Sequence, residues 1–128
     1  AKEALKNNIP VGLGTDASCP LVTPYDMWRE VYYFAEFYGV SNAFAIYTAT
    51  LKNAQILGID DITGSIDVGK QADLIVVKEN PLENLKSLRK VNMVMVGGKL
   101  IESPKYERHE QIDEWLDSLS TQGGNVCL

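Results

Sequence analysis

The stretch Val11-Gly12-Leu13-Gly14-Thr15-Asp16 decides how the rest of the chain is read. A small apolar strand, Val11 to Gly14, runs into a Gly-Thr-Asp step that releases the chain into a loop. Its two glycines let another backbone or a ligand come close. A carboxylate at a strand's end is well placed to hold a metal or move a proton, yet aspartate is also an ordinary turn residue. Asp16 therefore acquires meaning only from what surrounds it.

Upstream, Ala1 to Asn8 reads as the end of a helix, closed by Asn7-Asn8 and Pro10. Helix, tight turn, apolar strand and carboxylate-bearing loop make the αβ rhythm of a parallel α/β layer. In such layers sites collect at the carboxyl ends of strands. Downstream, Ala17 to Val22 is a loop carrying Cys19-Pro20, and Thr23-Pro24 starts a helix, with Thr23 as its cap. Met27, Val31, Phe34, Ala35 and Tyr38 share one face at helical spacing, and Trp28, Tyr32 and Phe37 widen it. A helix this aromatic is packed on two sides, and Gly39 ends it. Ser41 caps a second helix with Ala43, Ile46, Tyr47 and Thr50 on one face; Leu51 to Leu57 forms a third, stopped by Gly58.

From Ile59 the period changes. Asp60-Asp61, Thr63-Gly64 and Asp67-Val68-Gly69-Lys70 mark turns around a brief extended piece, Ser65-Ile66. Leu74 to Val77 reads as a strand buried on both faces. Asn80-Pro81 breaks it, Leu82 to Arg89 is a helical turn or loop, and Val91 to Val96 is a second strand. Gly97-Gly98 is a hairpin signal, from which Lys99 to Ile101 returns as the third strand. A hinge near residues 58–62 thus separates a helical part from a small β part. Residues 104–120 form a last helix, with Ile112, Trp115, Leu116 and Leu119 on one face and charges on the other. The end of the chain reads as frayed.

With 128 residues, 45% hydrophobic and 23% charged, the chain can bury a single-domain core. Its net charge of −5, without a basic cluster, speaks against nucleic acid and anionic membranes as partners. No run approaches a membrane span, and no signal peptide opens the chain, so a cytoplasmic location is expected. The cysteines, Cys19 and Cys127, have no metal-knuckle spacing and read as free thiols of a reducing compartment, although their pairing stays open. The single histidine, His109, sits in the charged run Lys105 to Gln111, a solvated helix start. Asp16 and His109 alone cannot assemble a hydrolytic metal centre.

Four features follow one another in fixed order: Gly14-Thr15-Asp16; Ala49-Thr50 with Asn53-Ala54 and Leu57-Gly58; Gly64-Ser65-Ile66 with Gly69-Lys70 and Ala72-Asp73-Leu74-Ile75-Val76; and Val94-Met95-Val96-Gly97-Gly98-Lys99. Together they resemble the carboxyl-terminal third of the amidohydrolase superfamily, nearest its imidazolonepropionase-like and prolidase-like branch of metal-dependent hydrolases. The resemblance implies an α/β architecture: the last strand and helices of a (β/α)8 barrel in residues 1–58, part of a small β-sandwich in 59–102, and a C-terminal helix and tail in 103–128. It implies a divalent metal, zinc first among candidates, with Asp16 as metal ligand and as the catalytic group. Asp16 would take the proton from the attacking water and pass it to the leaving nitrogen. Thr15 and Gly14 would set the direction of that carboxylate. Thr50, Asn53, Gly69, Lys70 and Asp73 match positions read as structural, with Asp73 anchoring backbone amides.

The family's other ligands, a His-x-His pair, a lysine or glutamate bridge and two further histidines, are not in this sequence. The strands that complete the sandwich are missing too. The chain therefore reads as a fragment whose partner is the missing N-terminal part of the barrel, inactive and metal-free by itself, with a small-molecule substrate in the parent. Its exposed edges could pair copies into a homo-oligomer. The competing reading is a stand-alone, non-catalytic α+β interaction or scaffold module, in which Trp115 and Leu116 cover a sheet edge or pair two chains. A small acidic binding protein unrelated to hydrolases is the third. Substrate specificity depends on several strand-end loops, so cyclic imides, lactams and dipeptides all remain open.

Overall fold

A computed structural model describes residues 1–17 and 23–121. Most of the loop Ala17 to Val22 and the tail beyond 121, and with them Cys19 and Cys127, lie outside the described residues. The elements in chain order are α1 (Lys2–Lys6), α2 (Met27–Tyr38), α3 (Asn42–Tyr47), a π-helical segment (Thr48–Lys52), α4 (Asn53–Leu57), β1 (Leu74–Val77), a 3-10 helix (Leu85–Arg89), β2 (Val91–Val96), β3 (Lys99–Glu102) and α5 (Glu110–Thr121).

The aromatic helix supplies the centre. Val31, Phe34 and Ala35 of α2 are buried with Ala45 of α3 and Leu85 of the 3-10 helix. Val11 and Leu13 pack against this cluster, so alternate residues of the opening stretch face inward. Each large side chain so buried contributes about 1.5–3 kcal/mol. The helix starts at Met27, not at Thr23-Pro24: Thr23 to Asp26 forms a turn, closed by a bond from the Asp26 N–H to the Thr23 carbonyl at 3.2 Å. The Thr23 hydroxyl donates to the Asp26 carboxylate at 2.6 Å instead of capping a backbone amide. Gly39 ends the helix in the left-handed region at φ 67°, where a side chain would be strained.

Ser41 caps α3, accepting from the Phe44 N–H at 3.2 Å. The second and third helices foreseen from sequence are one continuous rod with a π-helical insert, and Gly58 closes it at φ 69°. The buried face of the rod is not the expected one. Ala45, Thr48 and Ala54 are buried, whereas Ala43, Tyr47 and Thr50 of the expected face are exposed.

The sheet is an antiparallel meander, β1-β2-β3, with Leu74 opposite Met95 and Val96 opposite Lys99. Gly97 (φ 55°) and Gly98 (φ 79°) make the tight hairpin turn that needs positive φ at both positions. Leu74 to Val77 is not buried on both faces: Ile75 is 54% and Val76 45% exposed, and because consecutive strand residues point to opposite sides, neither face is closed by the described residues. Ser65-Ile66 forms no strand.

The opening stretch itself differs from expectation. Val11 to Gly14 is not in a ladder; the described sheet consists of β1, β2 and β3. A parallel-layer strand needs neighbouring strands to satisfy its amides and carbonyls, and no strand lies beside this segment among the described residues. A side chain takes that place, as described below.

The last helix begins at Glu110, later than residue 104, with the His109 carbonyl accepting from the Ile112 and Asp113 N–H groups at 3.0 Å. It lies against α2 and the 3-10 helix, where Arg29 and Arg89 reach Asp117 and the Tyr33 hydroxyl reaches the Leu116 carbonyl. Trp115 is 46% exposed and β3 is open to solvent. No described helix is long and apolar enough to cross a membrane.

Candidate active site

Asp16 closes the opening stretch. It is exposed, and its backbone sits in the left-handed region at φ 52°. Aspartate tolerates that conformation better than most residues, and non-glycine residues held there cluster at functional sites. Thr15 turns its hydroxyl toward the step, accepting from the Ala17 N–H at 3.2 Å. That bond tightens the backbone around Asp16.

Behind this step the extended segment is held by one residue. The Asn53 carboxamide accepts from the Leu13 N–H at 2.9 Å and donates to the Leu13 carbonyl at 2.8 Å. Asn53 opens α4 directly after the π-helical segment. The sequence reading placed Asn53 among structural positions; the two-point contact with Leu13 had no signal in it, because the partners are 40 residues apart.

The other motif residues have local duties. Asp73 accepts from the Gly97 N–H at 2.8 Å, from the Gln71 amide at 2.9 Å and from the Thr63 hydroxyl at 3.4 Å. These bonds, the one from Gly97 foremost, hold its carboxyl below the usual carboxylate range. It anchors a backbone amide at the hairpin, as its place before a strand suggested. Lys70 donates to the Ser65 hydroxyl at 2.6 Å, and Ser65 donates to Asp67 at 2.5 Å. The Ser65 bond comes first among the causes that lower the Asp67 pKa. Gly64, at φ 92°, lets this loop lie on the helix: a Cβ there would meet the Ala54 Cβ at 2.6 Å. A cleft of about 520 Å³ between the helical rod and the sheet is lined by Thr50, Asn53, Ser65 and Asp73, and Asp16 is not part of it.

His109 is exposed at the start of α5, its N–H donating to the Tyr25 hydroxyl at 2.8 Å, as expected of a solvated helix start. Among the described residues no three His, Cys, Asp or Glu side chains gather as a metal-binding group. A structural or catalytic zinc needs at least three protein ligands. Asp16 is one carboxylate, so the described residues do not by themselves fit a divalent centre.

One cluster escaped the sequence reading. Arg29 is 4% exposed and meets Asp26 at 3.2 Å, Asp113 at 3.6 Å and Asp117 at 2.8 Å. Arg89 pairs with Asp117 at 2.7 Å and Arg108 with Asp113 at 2.6 Å. The Arg29 guanidinium also lies 4.5 Å from the centre of the Trp28 ring. Burial opposes ionisation of Asp117, but hydrogen bonds from Arg89 and Arg29, with their charges, hold its carboxyl below the usual range. Helical spacing puts Asp113 on the charged face of α5. It is buried because these arginines compensate it.

The model of the amidohydrolase family matches residues 1–101. Guanine deaminase of Escherichia coli is 34% identical over an alignment of 100 residues that covers 73% of this chain and 22% of that protein. Imidazolonepropionase of Picrophilus torridus is 36% identical over 77 residues, 60% of this chain and 19% of that protein. Among solved structures, a candidate prolidase from Bifidobacterium longum superposes with a TM-score of 0.89 at 38% identity, covering 93% of this chain and 29% of that one. The chain spans about a fifth of the length of these curated relatives. A match that spans residues 1–101, well over half of the sequence, makes this chain a member of the amidohydrolase family.

Proposed function

We propose that the chain is the carboxyl-terminal part of a metal-dependent hydrolase acting on carbon–nitrogen bonds of cyclic-amide, amide or dipeptide-like substrates. In this reading residues 1–58 end the (β/α)8 barrel, 59–102 form part of a small β-sandwich, and 103–128 add a helix and tail. The observation that carries it is the family match over residues 1–101, set beside an exposed carboxylate at the end of a pinned extended segment. The remaining ligands come from the N-terminal part of the barrel, which is the chain's partner.

A divalent metal, zinc first, would supply a water of lowered pKa. Asp16 would be one of the residues holding the metal and would act as the base, its carboxylate accepting a proton from the attacking water and returning it to the leaving nitrogen. The Thr15 contact with the Ala17 N–H would hold the backbone around Asp16. The chain alone is inactive, since a single carboxylate neither retains the ion nor completes a pocket. Zinc reconstitution and a hydrolase assay on the 128-residue chain come out negative. Robust, chelator-sensitive turnover by that chain overturns the reading.

A second reading keeps one specific observation: α5 is locked to α2 through the Arg29 cluster. A unit sealed in this way could serve as a stand-alone interaction or scaffold module, with Asp16 vestigial. Its open strand β3 is then the edge that pairs copies or partners.

A further inference from the structure

We infer that Asn53 is a positioning residue for Asp16: its carboxamide stands in for a neighbouring β-strand and fixes the segment that presents the carboxylate. The inference rests on the proposed role of Asp16 and deepens it.

The contact has two points. Leu13 donates its N–H to Asn53 Oδ1 at 2.9 Å, and Asn53 Nδ2 donates to the Leu13 carbonyl at 2.8 Å. A primary amide offers one acceptor and a donor in a plane, which is what one residue of a paired strand offers its neighbour. Aspartate could serve only the first bond when ionised, and an aliphatic side chain neither. The side chain is half-buried, so the Leu13 groups would otherwise lose solvent without a partner.

Two neighbouring features are shaped to this contact. At Gly12 an added Cβ would meet Asn53 Oδ1 at 2.7 Å, so glycine is what admits the carboxamide. Directly before Asn53 the helix widens into the π-helical segment Thr48–Lys52. Such segments cost stability and recur at functional sites; here the extra residue per turn offsets the face that α4 presents from that of α3. Leu13 is fixed on both sides, by the core through its side chain and by Asn53 through its backbone. The Gly14-Thr15-Asp16 step therefore leaves from a defined point, and the carboxylate inherits its position.

The test is amide hydrogen exchange on the isotopically labelled chain. Asn53→Ala lowers the protection of the Leu13 amide about tenfold, while Val31 and Ala35 amides in α2 keep theirs, and the Asp16 carboxyl carbon resonance shifts. Gly12→Ala does the same with Asn53 in place, by displacing the carboxamide. The double variant shows no further loss, since both changes break one contact. Asn53→Asp keeps the acceptor for the Leu13 N–H and loses only the donor to the Leu13 carbonyl, so it retains more Leu13 protection than Asn53→Ala. Unchanged Leu13 protection in both single variants, with α2 protected, overturns the inference. So does a uniform fall across α2, which marks Asn53 as a general stabiliser. Asp16→Asn, which leaves the Leu13 contact intact, separates the two ideas: turnover that survives it in the complete enzyme refutes the role of Asp16 and not the clamp.

Discussion

At the scale of single residues, backbone geometry carries the meaning. Asp16 stands out in the sequence because Gly-Thr-Asp follows an apolar run, but its left-handed backbone had no sequence signal, since aspartate tolerates that conformation without requiring it. Asn53 was visible as a motif residue, whereas its partner was not, because pairing across 40 residues leaves no local periodicity. Gly64 is the clearest small-residue requirement. Its Cβ would meet Ala54 at 2.6 Å and the Leu51 Cα at 3.1 Å, on a backbone at φ 92°. Gly64→Ala destabilises the chain by about 1–3 kcal/mol, read from the urea midpoint. Gly69, at φ 93° but with nothing within 4 Å, costs less when replaced by alanine, and the difference between the two measures the close approach itself.

At the scale of elements, α5 shows how charges can hold a helix that hydrophobic spacing alone describes poorly. Ile112, Leu116 and Leu119 were readable at helical spacing, yet Asp113 and Asp117 do the joining, through Arg29, Arg89 and Arg108. The pattern rule failed there because it sorts residues by polarity, and a buried arginine inverts that sorting. Arg29→Ala leaves Asp26 and Asp113 buried with less compensation and costs about 3–5 kcal/mol in urea unfolding; loss below 1 kcal/mol would contradict a buried network. The network also sets a pH dependence. The Asp117 carboxyl has a folded pKa below its unfolded value of about 3.9. Its contribution to stability is therefore complete at neutral pH and is lost as pH falls below about 4 toward the folded value. Asp117→Asn flattens that part of the stability–pH curve. Asp117 is partly exposed, so the effect is smaller than that of Arg29.

At the scale of the molecule, the meander sheet and its hairpin were legible to within a residue or so because strands β1 and β2 are apolar runs bounded by glycine and proline. What was not legible is which of their faces are covered. Ile75, Val76, Val96, Leu100 and Ile101 remain about half exposed, as does the helix-end residue Ile56, although alternation and apolar runs suggest burial. Light scattering tests what this open surface does in solution: the fragment reading expects dimers or larger species at micromolar concentration, and a cooperative monomer favours the self-contained module. The proposed catalytic role has a more direct test, namely steady-state turnover of the complete enzyme bearing Asp16→Asn. With stability and Leu13 protection unchanged, kcat falls at least about a hundredfold; activity retained above about a hundredth of the parent's would show that another group carries the proton.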